Sequence, residues 1–152
     1  MAVRMELARI LIQELKDYQL IELREVLDEQ ADSPVELGAF DTSDQGRSFP
    51  IVIGLPEAQA IERRLKGVEI KRPQTHDLLA DVITQLGGTL ERITVSDLQD
   101  HTFYATLDVR TGDGKVIHID ARPSDAIALG IAQDVPIFVA EHVLDAALDD
   151  SV

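Results

Sequence analysis

Apolar residues dominate two stretches near the N-terminus, Val3 to Leu15 and Tyr18 to Leu27, with Lys16-Asp17 between them. β-Branched content tips an otherwise ambiguous period toward strand, so the pair predicts a long antiparallel hairpin. Residues 28–45 turn acidic and carry Pro34, Gly38 and most of an Asp-Thr-Ser-Asp-Gln-Gly turn, the composition of a loop. Phe49-Pro50-Ile51-Val52-Ile53-Gly54 follows and predicts a buried strand. Pro56 then opens a helix in which Ala58, Ile61 and Leu65 share one face. Arg63, Arg64 and Lys66 finish it on the wet side, and Gly67 stops it. Thr75 is placed to N-cap a second helix whose apolar stripe is Leu78, Leu79, Val82, Ile83 and Leu86, ended by Gly87-Gly88.

The pattern then changes to period two. Three strands are expected at Thr89–Val95, Thr102–Arg110 and Lys115–Asp120, joined by turns at 98–101 and 111–114. In the middle one Phe103, Ala105, Leu107 and Val109 point one way and Tyr104, Thr106, Asp108 and Arg110 the other. A third helix from Pro123-Ser124 to Ile131-Ala132 is apolar or small almost all round, as a buried helix is. Pro136–Val139 predicts a short strand and Glu141–Leu148 a final helix. The expected fold is α+β: a mixed or antiparallel sheet with an N-terminal hairpin and a three-strand meander, packed with about four helices in one domain over residues 1–152.

Composition narrows the chemistry. Cysteine is absent, which removes disulfides, thiolate zinc sites and cysteine nucleophiles. No apolar run approaches the ~20 residues of a membrane-spanning helix, and Arg4 and Glu6 interrupt the only stretch resembling a leader, so a cytoplasmic chain with no membrane partner is expected. The 28 acidic against 14 basic residues give a net charge of −14, whose field repels phosphate backbones on average. Nucleic-acid binding would need a local basic patch or bound cations. The best patch is Arg63, Arg64, Lys66, Lys71 and Arg72, though a solvated helix end and loop is the better account of it.

Phosphate-binding glycine loops, H-E-x-x-H and G-x-S-x-G are all missing. Polar residues concentrate instead at helix starts. Asp120-Ala121-Arg122-Pro123-Ser124-Asp125 sets two carboxylates and a guanidinium where a strand gives way to a buried helix. Such carboxylates can hold a hard cation such as Mg²⁺. They can also be structural, with Ser124 and Asp125 capping the helix and Arg122 paired with Asp120. His76 and Asp77 open the second helix, where the dipole favours a neutral imidazole beside an anionic carboxylate, a base or ligand pair or simply a well-started helix. Glu57 holds the corresponding place on the first helix. His101, in a turn, and His118, on a strand face with Val116 and Asp120, have no partner visible in the sequence.

The segments 49–54 with Glu57-Ala58, Arg72-Pro73-Gln74-Thr75-His76-Asp77-Leu78, Asp97-Leu98, Thr102–Ala105, Asp120–Leu129 and Pro136–Val139, in that order, resemble the bifunctional nuclease family, also called domain of unknown function 151, over residues 47–144. The residues matching its hallmarks are Pro50, Gly54, Glu57, Arg72, Pro73, Thr75, His76, Asp77, Asp120, Arg122, Pro123, Ser124 and Asp125. The resemblance implies a self-associating α+β domain with nuclease activity on DNA and RNA. The working expectation is a metal-assisted nuclease. Asp120, Asp125 and Asp77 or Glu57 hold Mg²⁺ or Mn²⁺, His76 orients or deprotonates water, Arg122 or Arg72 meets phosphate, and Ser124 contacts substrate. The alternative is a non-enzymatic, oligomeric ligand-binding or protein-interaction module in which the same residues fix helix starts and subunit contacts.

Overall fold

The computed structural model describes residues 1–13, 15–27 and 46–150; the expected acidic loop at 28–45 lies outside the described residues. The elements run β1 (Ala2–Leu11), β2 (Gln19–Glu25), β3 (Ser48–Ile53), α1 (Leu55–Lys66), α2 (Thr75–Gln85), β4 (Thr89–Gln99), β5 (Thr102–Arg110), β6 (Val116–Ala121), α3 (Pro123–Gly130), a 3₁₀ turn (Ile131–Gln133), β7 (Ile137–Ala140) and α4 (Glu141–Asp150). The fold is α+β, with one seven-stranded mixed sheet in the order β3-β2-β1-β7-β4-β5-β6. Every pairing is antiparallel except β4 with β7.

The sheet consists of two local pieces held together by β7. On one side is the expected hairpin β1–β2 extended by β3; on the other is the expected meander β4–β5–β6. Period-two alternation gives every strand but the edge strand β6 a buried face, and Ile21, Leu23, Phe49, Ile51, Ile93, Val95, Leu107, Val109 and Val139 form one core with Ala58 and Ile61 of α1, Ala126–Leu129 of α3 and Val143, Leu144 and Ala147 of α4. β3 is an edge strand buried on one face only, because Pro50 and Val52 point outward, and Pro50 cannot donate to a further strand.

α3 is buried as its composition predicts, with Asp125 its only residue outside the buried class. It packs most extensively on α1 and also meets α2, β4 and β5. Its C-terminal glycine is a close-approach position: a Cβ on Gly130 would lie 2.7 Å from Ile93 Cδ1 and 3.0 Å from Val135 Cβ. The two-residue turn between β4 and β5 places Asp100 and His101 at φ +51° and +64°, the left-handed pair that a tight hairpin requires.

α2 departs from expectation twice. Its N-cap is Gln74 rather than Thr75: the Gln74 side chain accepts from the backbone of Asp77, whose carboxylate accepts from the Gln74 amide, a reciprocal capping box. Its apolar stripe is not a core face either, since no α2 residue is buried and Leu78 (55%) and Leu86 (82%) are largely exposed. Ala80 and Ile83 make the inward contacts.

Candidate functional site

Three helices each carry a carboxylate at the third position of the first turn, Glu57 on α1, Asp77 on α2 and Asp125 on α3. The partly positive helix N-terminus favours an anion there. Their surroundings divide them into two groups with different work.

Asp77 turns toward α1. It pairs with Arg63 at 2.9 Å and with Arg64, and all three side chains are largely shielded from solvent. Arg64 also donates to the backbone oxygens of Ala128 and Leu129, satisfying carbonyls at the C-terminal end of α3. Burial raises the Asp77 pKa, but the Gln74 amide and the two guanidiniums outweigh it and hold the carboxyl below its ordinary range. Arg63 and Arg64 are therefore a buried clamp joining α1, α2 and α3, not the solvated helix end that their position predicts.

Asp125, His76, Arg122 and Glu57 form the second group. His76 Nε2 lies 2.9 Å from Asp125 Oδ1, an exchange between the starts of α2 and α3. Arg122, the N-cap residue of α3, donates through Nε to Asp125 Oδ2 (2.7 Å) and through Nη2 to Oδ1 (3.0 Å), a bidentate fork. Its remaining terminal nitrogen reaches Glu57 Oε2 at 3.4 Å. The Arg122 fork, opposed by burial and helped by His76, lowers the Asp125 pKa, while Asp125 raises that of Arg122. Gly54 makes room for this arrangement, since a Cβ there would collide with Glu57 Oε1.

The cluster stands at the edge of a cleft of about 690 Å³. Its walls are Glu57, Arg122, Pro123 and Ser124 at the helix starts, Pro50 to Ile53 of β3, Asp17 and Tyr18 before β2, and Leu98, His101, Thr102 and Phe103 around the β4–β5 turn. Phe103 stacks on the buried Phe49 at a centroid distance of 5.5 Å, which stiffens that wall.

Of the residues singled out from sequence, Glu57, His76, Arg122 and Asp125 are brought together, and Ser124 joins Glu57 and Arg122 in the cleft. Asp77 serves the arginine clamp. Asp120 is exposed on β6 opposite Thr106, and Arg122 pairs with Asp125 and Glu57 rather than with Asp120. Arg72 is exposed and does not line the cleft. Ser124 lies inside α3 and makes no capping bond. Among the described residues no three acidic or histidine side chains gather into a group suited to a metal, and the guanidinium of Arg122 bridges Glu57 and Asp125. The carboxylate set drawn from the sequence is thus dispersed over separate surroundings. His118 does have a partner, Asp108 across β5 at 2.7 Å, which one-dimensional spacing conceals.

The model of the bifunctional nuclease domain matches residues 40–150. The chain belongs to that family. An uncharacterised protein of Mycobacterium tuberculosis, found in strains CDC 1551/Oshkosh and H37Rv, is 46% identical over 98 residues, covering 64% of this chain and 57% of the relative. A protein of Arabidopsis thaliana named bifunctional nuclease 2 is 25% identical over 100 residues, 64% of this chain and 30% of its own. The chain thus spans little more than half the length of its mycobacterial relative. In this member of the bifunctional nuclease family, sequence reasoning missed Tyr18, Thr102 and Phe103 as cleft residues and gave His101 no role. All four reach the cleft from hairpin turns or the strand beside them. The signal available for His101 was its place in a two-residue turn that favours glycine or asparagine.

No described helix is long and apolar enough to cross a membrane.

Proposed function

We propose that the domain is a phosphodiesterase acting on nucleic acid, working at the cluster of His76, Asp125, Arg122 and Glu57 beside the cleft. The observation that carries the reading is the His76–Asp125–Arg122 connection, which joins a general base, the carboxylate that orients it and a phosphate-matching guanidinium across two helix starts. In the hydrolysis, His76 takes the proton of a water whose oxygen attacks phosphorus, Asp125 steadies the imidazolium, and Arg122 meets the phosphate charge as the bond to the leaving oxygen breaks. Glu57 holds the far side of the guanidinium. Mg²⁺ or Mn²⁺, expected from the sequence, would supply further neutralisation of phosphate charge. Among the described residues, the side chains nearest the cleft do not by themselves make a ligand set for it.

The test is cleavage of labelled single- and double-stranded DNA and RNA by purified protein with Mg²⁺, Mn²⁺ or EDTA. Asp125→Asn and His76→Ala, purified identically, run beside it. Each is expected to lower the rate about 100-fold or more while keeping the wild-type circular dichroism spectrum. Equal residual cutting by all three proteins would mark a contaminant and end the reading.

A second reading draws on the exposed apolar face of α2, Leu78, Leu79, Val82 and Leu86, which suits a homo-oligomeric assembly or protein-interaction module. It expects Leu86→Lys to shift the sedimentation coefficient to a smaller species, and an unchanged monomer in both proteins would dismiss it.

A further inference from the structure

The cleft contains a group that the hydrolytic scheme does not use. Ser124 is buried, at 5% exposure, and lines the cleft, yet its hydroxyl has no hydrogen-bond partner among the described residues. A buried hydroxyl without a partner is costly, and such a group in a cavity wall commonly awaits a ligand atom. It stands in the first turn of α3, and α1 begins on the same side of the cleft; neither helix has a side-chain cap. The unpaired amides of the two helix starts and the guanidinium of Arg122 therefore make this end of the cleft attractive to one anion. The rest of the lining is largely apolar and includes two aromatic rings, Tyr18, which is exposed, and Phe103, which is backed by Phe49.

We propose that the cleft is a subsite for a single nucleoside monophosphate unit, its phosphate held by Ser124 and Arg122 and its base on the Tyr18 side. The inference deepens the phosphodiesterase reading and rests on the same cleft. Size agrees, since about 690 Å³ falls within the range of small-molecule sites and is far too small for a duplex. Charge sets a limit. Arg122 is the one cation among the lining residues, against Asp17 and Glu57, so a triphosphate is opposed far more strongly than a single phosphate. A base can reach Tyr18 only when it is out of a stack, which makes single strands or free strand ends the substrate class.

Calorimetric titration of the full chain in EDTA, using 5′-AMP, adenosine, inorganic phosphate and ATP in turn, tests this without any bond being cut. AMP is expected to bind at least about tenfold more tightly than adenosine, phosphate or ATP. Ser124→Ala is expected to weaken AMP about tenfold without lowering Tm, because the hydroxyl it removes has no partner among the described residues. Tyr18→Ala is expected to weaken AMP and adenosine several-fold and leave phosphate unchanged, with Tyr18→Phe restoring both. AMP binding no tighter than that of phosphate, or wild-type affinity in Ser124→Ala, overturns the subsite. If Ser124→Ala fails to fold, the exposed Tyr18 pair decides. AMP binding by a protein that cuts no polymer would retain the subsite and end the phosphodiesterase reading; cutting without AMP binding would do the reverse.

Discussion

Asp77 and Asp125 occupy the same position of neighbouring helices, and the structure gives them opposite duties. Asp77 neutralises two shielded guanidiniums, so Asp77→Asn leaves Arg63 and Arg64 without their anion and is expected to cost about 2–4 kcal/mol in urea unfolding at pH 7. Activity should survive in whatever fraction stays folded. Asp125→Asn should instead abolish cleavage at a smaller cost in stability, because its partner Arg122 is open to solvent. Both carboxyls titrate below the ordinary aspartate value of 3.8. Their contribution is thus complete above that value and disappears as pH falls through the lowered folded pKa values. Urea midpoints should hold from pH 7 to about 5 and fall steeply below about 4, and Asp77→Asn should flatten the acid limb. A midpoint that did not change with pH in the wild type would contradict the clamp. The sequence marks both aspartates as functional candidates because a helix start explains an acidic residue without revealing which way it turns. Only the placement of α1 against α2 separates them.

At the level of elements, the alternation in β5 and the all-round apolar character of α3 are legible directly, because each is a local period read against a single buried layer. The stripe on α2 misleads for the converse reason. Leu78, Leu79, Val82 and Leu86 have a core helix's spacing, yet α2 packs through Ala80 and Ile83 and leaves them largely outside. The expected N-cap is displaced by one residue because the capping box selects Gln74, whose amide and side chain both engage Asp77. Close approach makes a sharper prediction. Gly130→Ala drives a methyl into Ile93 and Val135 where α3 meets the sheet, and it is expected to lower stability by about 1–3 kcal/mol in thermal melts. Gly67→Ala, where a Cβ meets nothing within 4 Å but φ is +67°, measures backbone strain alone and should cost about 1 kcal/mol.

Taken whole, the molecule is an acidic body with one guanidinium in its cleft. A surface that gathered many phosphates would lose affinity steeply with salt, with a slope near −0.7 per contact for a single strand. Here one contact is opposed by the repulsion that salt relieves. The logarithmic slope of single-strand affinity against NaCl is therefore expected near zero, and a slope of −4 or steeper would reveal a basic surface away from the cleft. Net charge was readable from composition. The cleft was not, since its walls come from residues as far apart as Asp17 and Ala147.

The sheet order has a consequence for how the chain is made. β1–β2–β3 and β4–β5–β6 can each zip up from neighbouring segments as synthesis proceeds, but the strand that joins them follows all six in the chain. Until Ile137–Ala140 emerges from the ribosome, both half-sheets display open inner edges, β1 on one and β4 on the other. Between the emergence of β6 and that of β7 the nascent chain thus holds two unmatched halves, the stage at which its open strand edges most invite wrong pairing.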